Sequence, residues 1–219
     1  MRVLVACEES QAVCKAFRAL GHEAYSCDII PCSGGHPEWH IQQDVLPLLN
    51  GCCSFAACDG SVHSVPGRWD MIIAFPPCTY LTNAGAVRMR VNGEVVPERY
   101  ALAMKAKAFF LRFLAADCER IVVENPTPMK LVGLPEYNQA VQPWQFGHPY
   151  TKRTCFWLRG LPPLVPTSVI TEGVTPWVNG GCKDAHGNYR RVQGRRERDP
   201  INRAKTFPGV AAAMAAQWG

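Results

Sequence analysis

Apolar and polar positions along the chain change period several times, and each change marks an element. Arg2 to Ala6 is a short apolar run that predicts a buried strand. Gln11 to Leu20 repeats at helical spacing, with Ala12, Ala16, Phe17 and Leu20 on one face and Gly21 closing it. Glu23 to Cys27 predicts a second strand that ends at Asp28. Met71 to Phe75 predicts another, stopped by Pro76-Pro77, where a ladder cannot continue normally. Pro97 and Glu98 open a long helix to about Ala116, with Leu102, Ala106, Phe109, Phe110 and Phe113 as its apolar stripe. Arg120 to Val123 follows as a strand, two more are expected at Trp144 to Phe146 and Thr154 to Leu158, and a last helix at Val210 to Gln217. Strands alternating with helices predict an α/β fold on a mostly parallel sheet. There is no internal repeat and no low-complexity tract.

Length and composition narrow this to one core-forming domain with a small appendage. The chain has 219 residues, 47% of them hydrophobic and 19% charged, which excludes a disordered polar protein. The longest apolar runs, Met71 to Phe75 and Ala211 to Ala216, fall far short of the roughly 18 residues of a membrane helix. Cys7-Glu8-Glu9 interrupts the N-terminal apolar run before a secretory segment could form, so a cytoplasmic protein is expected. Eleven cysteines, an odd number without the tight spacing of a secreted scaffold, read as reduced thiols, most of them small buried apolar residues.

Charge is distributed unevenly. Residues 1 to 149 carry 12 basic and 14 acidic groups, a net of −2, whereas residues 150 to 219 carry 11 and 4, a net of +7. Arg190, Arg191, Arg195, Arg196, Arg198 and Arg203 cluster there among glycines and polar residues, as in a loop that grips a polyanion. The plainer alternative is an arginine-rich loop that only faces water.

In an open α/β sheet, ligands sit beyond the carboxyl ends of the strands, so the residues just after strands carry the chemistry. Here they are Cys7-Glu8-Glu9-Ser10-Gln11, Asp28, Pro76-Pro77-Cys78 and Glu124-Asn125-Pro126. Two prolines rigidify the turn that presents the Cys78 sulfur, and a thiol so placed acts as a nucleophile if local charge favours the thiolate. Alone, a cysteine after a strand is structural more often than not. A strand-end carboxyl facing that thiol, however, suits activation of a nitrogen heterocycle, the more so if burial raises its pKa and lets it donate a proton.

On these two strings, Pro76-Pro77-Cys78 running to Ala84-Gly85 and Glu124-Asn125-Pro126, the chain resembles the DNA cytosine-5 methyltransferases, in particular the small phage and prophage type. The resemblance implies a Rossmann-like methyltransferase sheet with helices on both faces and a short basic C-terminal insertion. It implies a catalytic domain of residues 1–159 and 200–219, with a reduced DNA-contacting segment at 160–199. It also implies that Cys78 adds to C6 of a cytosine while Glu124, beside Asn125, holds the N3 edge, so that C5 accepts a methyl group. The target base lies inside the duplex stack, so single-stranded substrate or base flipping is required. The family's late arginine element falls at Gly147 to Thr154, where Lys152 or Arg153 would supply the active-site cation. The stretch from Arg203 to Val210 stands where the family's closing turn returns to the cofactor.

For the donor, S-adenosylmethionine, the resemblance implies Asp28 with Ile29 at the ribose and Asp44 with Val45 at the adenine, and Phe75 and Pro77 beside them. The first turn departs from the family: its glycine-rich string is replaced by Ala6-Cys7-Glu8-Glu9-Ser10-Gln11, leaving no glycine for close backbone approach. Cys7, Glu8, Ser10 and Gln11 are expected to take its place, with Ser10 or Gln11 side chains and the helix N-terminus substituting for it. DNA is the expected partner, through phosphate contacts of Arg190, Arg191, Arg195, Arg196 and Arg198. Only Asn188, Tyr189 and Gln193 are placed to read bases, so short or weak sequence specificity is expected.

Three other readings compete. A zinc nucleobase deaminase would use His36-Pro37-Glu38 and Pro77-Cys78, but Leu81 stands where the second thiolate is needed. A structural zinc could be held by Cys27, Cys32, His36 and His40, although such spacings arise by accident in a cysteine-rich chain. A DNA-binding module that lost catalysis would explain the missing glycines, but it has no need for a thiol and a carboxylate at one sheet edge. RNA or free nucleotides stay open as substrates, since a basic loop recognises phosphates.

Overall fold

The computed structural model describes residues 1–177, 180–183, 189–192 and 199–219. Its centre is a seven-stranded sheet of β1 (Arg2–Ala6), β2 (Glu23–Asp28), β3 (His40–Gln42), β4 (Met71–Ala74), β5 (Ile121–Pro126), β6 (Gln139–Val141) and β7 (Thr154–Arg159), in the order β6-β7-β5-β4-β1-β2-β3. The five strands from β3 across to β5 run parallel, and β7 and β6 are added antiparallel at the far edge. The chain leaves β1 toward β2 and β3, then returns to place β4 on the other side of β1. The strand order therefore reverses between β1 and β4, where such sheets open a ligand crevice.

The parallel strands are buried on both faces, which is why they read as unbroken apolar runs. On one face Leu4, Ile72, Ile121 and Val123 pack against Phe110 and Phe113 of helix α2 (Pro97–Leu114). On the other, Val3, Val5, Ile73 and Val122 pack against Val13 and Phe17 of α1 (Ala12–Ala19) and Val210 and Met214. The last two belong to the C-terminal helix, Pro208–Trp218, which follows a short helix at Pro200–Ala204. Fully burying a side chain of this kind stabilises the fold by about 1.5–3 kcal/mol, so the last residues of the chain are held firmly beside the first helix.

Several expectations need correcting. Trp144 to Phe146 is no strand: Pro143–Gln145 forms a 3-10 turn, with Gln142 and Gln145 making a reciprocal capping box, and the strand lies before it at Gln139–Val141. The buried face of α1 is Val13, Cys14 and Phe17, with Leu20 54% exposed. On α2, Ala103 is buried and Leu102 is 40% exposed. No α-helix bridges β2, β3 and β4; that stretch carries two 3-10 turns, Pro37–Trp39 and Leu46–Leu48, and a hairpin, Cys53–Ala56 with Val62–Val65, whose Phe55 packs with Tyr25 and Trp69. Among the described residues, no helix is long and apolar enough to cross a membrane.

Candidate active site

Sequence distance collapses at the carboxyl ends of β4 and β5. Their parallel pairing sets Ala74 beside Val123, so Pro76-Pro77-Cys78 and Glu124 leave neighbouring strands at the same edge. Phe156 lies opposite Glu124 across the β5–β7 ladder, and the approach to β7 brings in Lys152. Glu124, Lys152 and Phe75 line a narrow pocket, bounded also by Thr206, Phe207, Val210 and Met214 from the far end of the chain. Phe207 is itself packed among His148, Tyr150 and Trp177, at ring separations of 5.1, 5.9 and 5.0 Å.

Three charge-bearing groups act on one another here. Burial pushes the Glu124 carboxyl up to about 7, against the pull of Lys152. Burial also raises the Cys78 thiol; the Glu124 charge adds to that, whereas Lys152 and Arg203 oppose it. Lys152 is lowered by burial and restored in part by Glu124 and Cys78. Yet Glu124 takes no hydrogen bond from any described residue, and the ion pairs among those residues are His36 with Glu38 and Arg68 with Asp117. The Lys152 ammonium instead donates to the carbonyl oxygens of Arg203 at 2.8 Å and Lys205 at 3.4 Å. A half-buried carboxyl without a described protein partner, in one pocket with an ammonium that is anchored elsewhere, is suited to meeting a polar ligand.

Lys152 and Arg153 are thereby distinguished. Arg153 donates to the hydroxyl of Tyr137 at 2.7 Å and lies over that ring, so the expectation that it might serve at the nucleophile is corrected. Asn125 is fully buried; its amide donates to the Pro126 carbonyl at 2.5 Å and its Oδ1 has no partner. It follows Glu124 on β5, so its side chain leaves the opposite face of the sheet and it braces the strand end rather than facing the pocket.

A second pocket, of about 120 Å³, lies at the Pro77 side of the Phe75 to Cys78 turn. Cys7, Asp28, Ile29, Asp44, Val45 and Pro77 all line it, drawn from the ends of β1, β2, β3 and β4. Burial, with Asp28 next, holds the Cys7 thiol far above its ordinary range, so it is a neutral wall. Ile29 is 73% exposed, an apolar surface at the rim. Phe109 also lines this pocket, although its helical spacing marked it for the core.

Glu8, Ser10 and Gln11, expected near the cofactor, line neither pocket. Glu8 is 5% exposed and its carboxyl accepts from Val13 N at 2.7 Å and Cys14 N at 3.2 Å, capping α1 from inside. Ser10 Oγ meets Ala12 N at 3.5 Å. Gln11 is fully buried, donates to the His36 carbonyl and accepts from His36 N at 3.0 Å, so it ties the following loop to the first turn. The close approach comes from that loop: a Cβ on Gly34 would stand 2.5 Å from Gln11 Cβ and 2.6 Å from the Ser10 carbonyl oxygen. Cys7 and Gln11 take left-handed backbone, with φ of 58° and 57°, without being glycine.

The stretch from Arg203 to Val210, expected to return to the cofactor, brings Ala204, Thr206, Phe207 and Val210 to the Glu124 pocket and not to the one lined by Asp28 and Asp44, because nothing local to these residues shows which strand ends they meet. The zinc reading meets a specific obstacle at His40, whose two ring nitrogens face Ser26 Oγ at 2.9 Å and the Ile30 carbonyl at 3.0 Å. Among the described residues no cluster of three or more metal-ligating side chains forms. Arg190 and Arg191 lie on a short strand, Tyr189–Val192, paired antiparallel with Gly180–Lys183. Asn188, Gln193, Arg195, Arg196 and Arg198 lie outside the described residues.

No family model matches the chain, and no curated protein matches it. Among solved structures it is similar to a "putative DNA modification methyltransferase" encoded within an E. coli prophage, at 14% identity and a TM-score of 0.46. That match covers 84% of this chain and 56% of the other, so the chain spans little more than half of that protein's length. Similarity at this level leaves the function to be argued from the two pockets.

Proposed function

We propose that the protein is an S-adenosylmethionine-dependent methyltransferase that modifies C5 of cytosine in DNA. The observation that carries this reading is the half-buried Glu124 carboxyl, without a described partner, sharing a pocket with Lys152, with the Cys78 thiol within reach of both charges.

Each group then has a task. Glu124, with a pKa pushed up to about 7, donates a proton to N3 of the bound cytosine and makes C6 electrophilic. Cys78, its thiol proton lost to solvent, forms the S–C6 bond as the C5–C6 double bond opens and the electron pair moves toward C5. Lys152 offsets the negative charge that accumulates between thiolate and carboxylate. After transfer to C5, the C5 proton passes to solvent, its electron pair restores the C5–C6 double bond as the S–C6 bond breaks and Cys78 leaves as thiolate, and the N3 proton returns to Glu124. When bound, S-adenosylmethionine supplies an electrophilic methyl on sulfur. Asp28 would accept from its ribose hydroxyls, Asp44 from the adenine amino group, and Ile29 and Pro77 would cover the base. The arginines of the 160–199 segment would hold DNA by its phosphates.

The test is incubation with S-adenosylmethionine and mixed-sequence DNA, followed by nucleoside mass spectrometry. A one-methyl gain on deoxycytidine that vanishes in Cys78→Ala, with DNA binding retained, is the expected result. Unmodified DNA despite binding of both DNA and S-adenosylmethionine would overturn it.

A further inference from the structure

The first helix of an α/β fold ordinarily offers its N-terminal N–H groups to an anionic part of the ligand. In this chain three of them are taken: Ala12 N meets Ser10 Oγ at 3.5 Å, and Val13 N and Cys14 N donate to the Glu8 carboxylate. Glu8 is thus an internal anion seated where an external one would bind. The adjoining pocket offers no replacement. Among the described residues its lining holds two carboxylates, Asp28 and Asp44, and no lysine, arginine or histidine. An α-carboxylate brought there would meet like charge from those residues and would find the Val13 and Cys14 N–H groups already taken by Glu8. The same wall suits an uncharged nucleoside, with carboxylates for hydroxyl and amino donors and Ile29 for the base.

Resting on the reading of this pocket as the cofactor site, we propose that the protein recognises its cofactor through the adenosine end alone, with Glu8 filling the anion hole that would otherwise hold the amino-acid end. A 5′-thioadenosine without the amino-acid tail then binds about as tightly as one that carries it.

Isothermal titration calorimetry of the full chain with S-adenosylhomocysteine and with 5′-deoxy-5′-methylthioadenosine tests this. At pH 8 Glu8 is mostly ionised, being above the value of about 7 to which burial pushes it. Dissociation constants within threefold of each other are expected. A 30-fold or greater advantage for S-adenosylhomocysteine would overturn the proposal while leaving the cofactor site intact, whereas binding of neither nucleoside would overturn both. In Glu8→Ala, checked for a cooperative melt, the freed Val13 and Cys14 N–H groups should shift the ratio at least fivefold toward S-adenosylhomocysteine. An unchanged ratio in a folded variant would overturn the role of Glu8.

Discussion

Lys152 and Glu124 line one pocket and act on each other by charge without forming an ion pair. Lys152 draws the Glu124 carboxyl below where burial alone would hold it, and Glu124 keeps Lys152 charged against its own burial. The ammonium is fixed from behind by the Arg203 and Lys205 carbonyls, so the C-terminal segment positions a charge at the end of β5.

Exchange of the two adjacent cations should therefore give unequal results. Lys152→Met removes the charge and retains an apolar stem, and a loss on the order of 10²-fold in turnover is expected, in line with removal of one electrostatic contact. Arg153→Ala breaks its contact with Tyr137 and should leave turnover within about threefold. Single-turnover methylation rates measure both, and equal losses would contradict the assignment.

Glu124 predicts a direction for stability against pH. Its folded-state value, about 7, lies above the ordinary carboxylate value, so the native state binds its proton more tightly than the unfolded chain. That contribution is full below about pH 4.5 and is lost as pH rises through about 7. Glu124→Gln cannot ionise, and should match the wild type near pH 4.5 and exceed it at pH 8 by on the order of 1–2 kcal/mol, allowing for partial exposure to the pocket. Urea titrations at the two pH values decide; an equal difference at both would refute the ionisation account.

At Gly209 the backbone N–H donates to His148 Nε2 at 2.9 Å, and a Cβ would collide with the Phe146 carbonyl oxygen. Gly209→Ala should destabilise the protein by about 1–3 kcal/mol and shift Phe207 at the pocket wall. Thermal melts and nucleoside titration together report it; an unchanged melting temperature would mean that the 146–148 turn yields freely.

Replacing Arg195 and Arg196 with alanine should weaken DNA binding and lower the slope of log K against log salt by about 1.8, if each meets one phosphate. Fluorescence anisotropy from 50 to 200 mM salt is the measurement. An unchanged slope would place the DNA surface elsewhere.

The C-terminal arginines were legible as a charge excess, but a charge excess carries no register: which of them reach a ligand depends on where the chain is held. The same distinction separates Lys152 from Arg153. Neighbours in sequence on an extended segment point to opposite sides, and only the pairing of β7 with β5 settles which side holds Glu124. Trp144 to Phe146 misled because its aromatic content favours a strand, whereas Pro143 and the Gln142–Gln145 capping box close a turn.

From sequence alone, β1, β2, β4, β5 and β7 and the three longer helices were readable, because strands buried on both faces are unbroken apolar runs, helical spacing marks α1 and proline opens α2. So was the position of Cys78, Glu124 and Asp28 at strand ends, whereas Asp44 came from the family resemblance, its strand β3 being too short to read. Tertiary structure decided the rest. It turned Glu8 inward as a helix cap, placed Gly34 where the first turn lacks a glycine, and closed the pocket with Thr206 and Phe207. Strand ends are set by local backbone pattern, whereas what meets them from about 80 residues away is set by packing, which no local pattern encodes.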